Sequence, residues 1–169
     1  MPWPDRKGKG TWDETRVREA SSVRADAKAK NKTVHFSRIA ELLYEKGSEL
    51  DKSDPDRKMK GRAVLLGNNI FDQSFDWAEF QEVGSAPPSM EAARVGDALS
   101  LFPGYVQKQS DATSAYTQAF LKGTETWVSL PRERWPKSWS GKYTNPVVPL
   151  VLALYGHPDA GGGFLGTDL

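Results

Sequence analysis

Apolar and polar positions recur along this chain with two periods, and each change of period marks a new element. Residues 1–10 (MPWPDRKGKG) mix Pro, Gly and charge without any period, which predicts a mobile lead-in. Residues 13–30 read as a helix, with Asp13 or Thr15 as its cap and mostly alanine and charged residues behind it. Few large apolar side chains stand there, so this helix is expected to pack weakly or to lie on a partner. Phe36, Ile39, Leu42 and Leu43, with Lys46, return at helical spacing and predict a second helix ending near Gly47. The run Lys52-Ser-Asp-Pro-Asp-Arg57 is a turn by composition.

From Met59 the period shortens. Met59 to Leu66 predicts a strand whose second half is continuously apolar, and Gly67-Asn-Asn ends it. Ser89 can cap a helix with Glu91 in its first turn, placing Ala92, Val95, Leu99 and Phe102 on one face before Pro103-Gly104 stops it. A short strand over 105–109 is expected to lead into Asp111, followed by a short helix over 113–122 that Gly123 terminates. Thr126 to Leu130 predicts another strand, and Pro146 to Tyr155, the most apolar run, a further one. Helices and strands mix without a regular βαβ repeat, so the expected class is α+β.

Composition bounds the chemistry. A chain of 169 residues with 38% hydrophobic content suits one domain with a real core. The absence of Cys excludes a disulfide framework and a thiolate zinc site. No apolar run approaches the roughly 20 residues that span a bilayer, and the N-terminus has no signal-peptide core, so the expectation is a soluble, intracellular, cytoplasmic protein with no membrane partner. Net charge of +1 hides an asymmetry: residues 1–62 carry 16 Lys and Arg against 11 Asp and Glu, leaving 7 against 11 in the remainder. A basic segment ahead of an acidic one is compatible with a phosphate-binding arm serving a carboxylate site. A solvated charged helix and tail is the plainer account.

Asp111 stands at the end of a predicted strand, where a carboxylate is well placed to hold Mg²⁺ or, more simply, to cap the turn that follows. Other motifs carry less. Gly161 to Gly166 formally satisfies G-x-G-x-x-G, but with only three residues after it no helix is expected to cradle a phosphate. His35 and His157 lie in unrelated contexts and no Gly-x-Ser-x-Gly elbow occurs, so neither a hydrolase triad nor a histidine-rich metal site is expected. Trp127, Trp135 and Trp139 are expected to cover a core rather than to stack on bases.

Several motifs fall in a shared order. Lys60-Gly-Arg62-Ala-Val-Leu-Leu-Gly67 comes first, then Phe80-Gln-Glu-Val with Met90-Glu-Ala-Ala-Arg-Val, then Asp111-Ala-Thr-Ser-Ala115-Tyr116. Phe120-Leu-Lys-Gly123, Trp127-Val-Ser-Leu-Pro131 and Pro149-Leu-Val-Leu-Ala-Leu-Tyr155-Gly156 follow. From about Thr33 to Phe164 this series resembles the fingers and first part of the palm of a copia-type retrotransposon reverse transcriptase. The resemblance implies an incomplete right-hand polymerase fold. Residues 1–32 would be a basic lead-in and helix, and residues 33–169 a partial RNA-dependent DNA polymerase domain that stops before the Tyr/Phe-x-Asp-Asp hairpin.

By that resemblance Asp111 would be a metal-binding catalytic carboxylate and the backbone carbonyl of Ala112 a contact to a second metal. Tyr116 would be the aromatic plate beneath the incoming sugar, rejecting a ribose 2′-hydroxyl by bulk. Arg62 would hold triphosphate oxygens with its guanidinium fork. Departures from the family fall at Leu66, where it has Lys, at Asp159, where a Gln helps hold the nucleotide, and at Gly162, where it has Arg. An acid at Asp159 would repel phosphate unless it served a metal. The implied cofactor is Mg²⁺, and the implied partners are an RNA or DNA template-primer, deoxynucleoside triphosphates, and the integrase and ribonuclease H modules of a polyprotein. The implied activity is RNA-templated DNA synthesis by two-metal nucleotidyl transfer in the intact protein. The alternative is a non-catalytic, domesticated or degenerate remnant that binds nucleic acid through its basic front half, including Lys28, Lys30 and Lys32.

Two-metal phosphoryl transfer needs several carboxylates around ions about 4 Å apart, and only Asp111 of that set is legible here. The chain by itself is therefore expected not to extend a primed template with labelled deoxynucleotide. Extension that disappears in an Asp111→Asn variant would refute this.

Overall fold

The computed structural model describes residues 10–80, 89–108 and 115–160. In chain order its elements are β1 (Arg18–Glu19), α1 (Ala20–Ala29), β2 (His35–Lys46), β3 (Lys58–Leu65), α2 (Met90–Ser100), β4 (Thr126–Ser129) and β5 (Pro146–Pro149). The five strands form one mixed sheet in the order β1-β5-β4-β2-β3, so the class is mixed α/β. β2 joins the two parts of that sheet. Its first four residues pair in parallel with β4, from His35 opposite Thr126 to Arg38 opposite Ser129. Its remaining eight pair antiparallel with β3, from Ile39 opposite Leu65 to Lys46 opposite Lys58.

The short central strands are buried on both faces, as the apolar runs at 126–130 and 146–150 require. Because strand side chains alternate, Phe36, Trp127 and Val147 face α1, where Ala20, Val23 and Ala27 at helical spacing meet them. Val128 and Val148 point the other way, into a second cluster with Ile39, Leu65, Ile70 and Leu154. Trp139 is buried in that cluster and Trp135 packs against it, so the tryptophans cover a core as expected.

Two helical expectations give way to tertiary pairing. Over 13–30 the α-helix begins only at Ala20. Asp13 caps instead a 3₁₀ turn over Glu14–Arg16, its carboxylate accepting from the Thr15 amide at 2.9 Å. The chain then extends to pair Arg18 with Val147 and Glu19 with Pro146. Nor does α1 pack weakly: its small residues let it sit close on the sheet. The stretch with Phe36, Ile39, Leu42 and Leu43 is the strand β2, not a helix. Its helical spacing is outweighed by a partner strand eleven residues away across a turn, and the ladder satisfies the backbone groups that a helix would otherwise pair. Bidentate ion pairs from Arg57 to Glu45 (2.8 and 3.2 Å) and from Arg134 to Glu41 (2.7 and 3.2 Å) hold the strand from its exposed side.

Further along, α2 starts where expected, with Ser89 Oγ accepting from the Ala92 amide at 3.3 Å. The apolar face with Val95, Leu99 and Phe102, however, is exposed among the described residues. Tyr105 to Lys108 is irregular rather than a strand, and residue 109 lies outside the described residues. The short helix expected over 113–122 is a single 3₁₀ turn, Ala115–Gln118, within the described part of that stretch.

Tyr155-Gly156 crosses the end of β3 at very close range. The Leu65 amide donates to the Tyr155 carbonyl at 2.8 Å, and Gly156 adopts φ +91° directly over the Leu65 carbonyl. A Cβ at Gly156 would overlap the Leu65 carbonyl oxygen, and a Cβ at Gly67 would overlap the Gly156 carbonyl oxygen. Both backbones can approach only because both positions are glycine. Gly156→Ala adds a disfavoured left-handed conformation to this overlap, and is expected to destabilise the fold by about 3 kcal/mol in urea denaturation. An unchanged midpoint would mean that the crossing is not rigid.

Candidate functional site

The two-stranded ribbon of β2 and β3 extends past the four pairs that bind β2 to β4. Alternation along β3 decides which way its side chains face. Ala63 and Leu65 are buried on one face, so Arg62, one residue before Ala63, points to the opposite face with Val64, and it is exposed. Its guanidinium lies 5.5 Å from the centroid of the Tyr44 ring on the adjacent strand, a cation–π contact that orients the fork without neutralising it.

Asp111 and Ala112 lie outside the described residues. Tyr116 falls in the 3₁₀ turn Ala115–Gln118, and this turn is hung on the segment that follows β5. The Ala153 amide donates to the Ala119 carbonyl and the Leu121 amide to the Val151 carbonyl, both at 2.9 Å, and Phe120 bridges to Leu152. Gly123, at φ +92°, leaves room for Asp159: a Cβ there would stand 3.3 Å from Asp159 Oδ2. Asp159 is half-buried behind this turn. Burial raises its carboxyl pKa, opposed by the nearby His35. The structure thus brings Asp159 to the Phe120–Gly123 element, while Arg62 stands on the ribbon against Tyr44.

Among the described residues no three His, Cys, Asp or Glu side chains are placed to hold a metal ion. A hard cation such as Mg²⁺ needs several oxygen donors at once, and Asp159 is a single carboxylate whose charged form burial disfavours. Asp111, the carboxylate that the resemblance implies for the metal, lies outside the described residues. Nor does any helix among them have the length and apolarity to cross a membrane.

The two histidines, separated by most of the chain, meet across one ring. Phe80 lies 5.0 Å from His35 and 5.8 Å from His157, edge-on to both. His157 is buried, with Nδ1 accepting from the Asp159 amide at 3.1 Å and Nε2 3.1 Å from Thr126 Oγ1. Because Nδ1 accepts, the neutral ring carries its proton on Nε2 and donates it to Thr126, whose hydroxyl donates in turn to the Thr124 carbonyl at 3.1 Å. A Thr–His pair resembles a nucleophile and its base, but Thr126 is fully buried and its hydroxyl hydrogen is already committed. The pair is a staple between β4 and the segment after β5. Sequence spacing could not reveal it, since Thr126 and His157 share no motif.

Burial, reinforced by the charge of His35, depresses the His157 pKa from 6.5 to about 4, and burial lowers that of His35 as well. The unfolded chain therefore takes up protons before the folded one as the pH falls. The stabilisation is complete above about pH 6.5 and is lost as pH drops through 4, on the order of 3 kcal/mol for His157. Asp159, shifted upward, works in the opposite sense in its own range. Urea denaturation at stepped pH should show the midpoint falling between pH 6.5 and 4, and a His157→Gln variant should flatten that slope. A midpoint constant across this window would contradict the depressed His157 pKa. Set beside protein-family models, curated proteins and solved structures, the chain finds no match in any of the three.

Proposed function

We propose that this chain is the fingers and first palm portion of a copia-type reverse transcriptase, an incomplete right-hand polymerase fold that contributes to RNA-templated DNA synthesis in the intact protein. Arg62 meets the triphosphate of an incoming deoxynucleotide. Asp111, with Mg²⁺, belongs to the catalytic carboxylates, the Ala112 carbonyl lies beside it, and Tyr116 lies under the sugar. Asp159 stands near the nucleotide as a carboxyl whose ionisation burial already opposes, and a neighbouring phosphate would push it further the same way.

The observation that carries this reading is the state of Arg62. Arg57 and Arg134, which also bind the ribbon, are each engaged by a glutamate through two hydrogen bonds. Arg62 is exposed, rests against an aromatic ring, and has no carboxylate bridging it among the described residues. A guanidinium fork with no carboxylate partner among the described residues is suited to bidentate phosphate recognition. The ordered series of motifs from Lys60 to Gly156 supports the same reading.

Deoxynucleoside triphosphate binding, measured by titration calorimetry with and without Mg²⁺, tests it. Arg62→Ala should weaken binding about tenfold and Arg62→Lys somewhat less, because a lysine restores the charge but not the fork. Asp111→Ala should abolish the Mg²⁺ dependence. Affinity unchanged in both alanine variants would sink the proposal.

A further inference from the structure

Between α1 and the start of β4 lies an open cleft of about 370 Å³. Its rim carries Arg16, Arg18, Lys30 and Lys32 against two carboxylates, Asp26 and Glu125, leaving a net charge of +2. Its walls and floor are apolar, formed by Val17, Val23, Ala27, Val34 and Trp127. Cations above an apolar floor select a ligand with the same division, an anionic group joined to a flat or apolar body. Inorganic phosphate would fill only part of this volume, which falls within the range of small-ligand sites.

The ion pairs on the rim do not close it. Arg18 reaches Asp26 at 2.5 Å, while Lys32 reaches Glu125 at 2.6 Å and Arg16 reaches the same carboxylate at 3.6 Å. All three are solvent-accessible, and such pairs contribute about 0–1 kcal/mol, so a phosphate can share these cations at little cost. Glu125 serves two cations with one charge. Arg16 also lies 6.0 Å from the centroid of the Trp127 ring, and the buried indole N–H of Trp127 has no acceptor among the described residues.

We infer that this cleft is a binding site for a nucleoside phosphate, either a free mononucleotide or one unit of a nucleic-acid strand, with the phosphate on the four cations and the base toward the apolar floor. The inference does not rest on the polymerase reading. Its cations all precede Thr33, where the resemblance to reverse transcriptases begins, and it invokes neither Arg62 nor Asp111.

Titration of the full chain with AMP, inorganic phosphate and an eight-nucleotide oligothymidylate, in EDTA, tests it. AMP should bind without Mg²⁺ and at least tenfold more tightly than phosphate. Equal affinity per site for AMP and the oligonucleotide identifies the free nucleotide as the source, and tighter, strongly salt-dependent binding of the oligonucleotide identifies a strand. Replacing Arg16 and Lys30 by Gln should weaken AMP binding about tenfold and, for the oligonucleotide, reduce the log–log salt slope by roughly 1.4. Glu125→Gln should act in reverse, tightening binding several-fold by releasing Lys32 and Arg16, so that loss of folding in the double variant cannot mimic the expected result. Adding Mg²⁺ should leave AMP binding unchanged, which separates this site from the polymerase reading, and a strict Mg²⁺ requirement would overturn the inference. Phosphate binding as tightly as AMP, no binding of any probe, or weaker or unchanged binding in Glu125→Gln would each overturn the inference.

Discussion

The structure depends on β2 being paired in two directions at once. Its first four residues are held by β4 in parallel and its last eight by β3 in antiparallel, so one continuous strand carries the register of both halves of the sheet. A slip of one residue would turn Phe36 away from α1 and Ile39 away from the second core. Arg24 of α1 adds a clamp beside this joint. Its guanidinium lies 3.8 Å from the centroids of both Phe36 and Phe75 and donates to the Asp72 carbonyl, holding Phe75 at the rare φ of +72°. The geometry of Arg62 is inherited from this joint, because only a fixed register makes it face solvent.

What could be read in advance follows from whether the signal was local. The strands at 126–129 and 58–65, the Ser89 cap, and the burial of Trp127 and Trp139 all depend on short patterns or on bulk hydrophobicity, and they were legible. The fate of Phe36 to Lys46 depended on pairing with residues further along the chain, which periodicity cannot sense. The same holds for Arg18 and Glu19, drawn out of a helix by β5, where Glu19 also accepts from the Asn145 and Thr144 amides. The apolar face of α2 was legible as a pattern, but a pattern does not say whether anything covers it. Of the candidate site, Arg62 and its strand were visible in the sequence. The packing of Asp159 against Gly123, and the meeting of His35 and His157 across Phe80, belong to tertiary structure alone.

Charge on this protein is distributed by use rather than by amount. Arg57, Arg134 and Lys32 are matched by glutamates, while Arg62 rests on a ring and the cleft below α1 keeps more cations than carboxylates. The histidines follow the opposite rule, kept neutral where burial makes charge expensive. The polar groups that fasten the fold are therefore mostly uncharged or paired, and the uncompensated charge of Arg62 and of the cleft is left facing solvent.

β3 is also the edge strand of the sheet, closed at its Leu65 end by the Tyr155 carbonyl. Such an edge invites the ribbon of a second copy to add itself, the first step of sheet-like aggregation. Lys58, Lys60 and Arg62 line this strand at alternate positions, and two like ribbons meeting edge to edge would bring these cations together. The charges of Lys58, Lys60 and Arg62 thus oppose pairing of this edge with a like edge. Neutralising them together would be felt first as a loss of solubility.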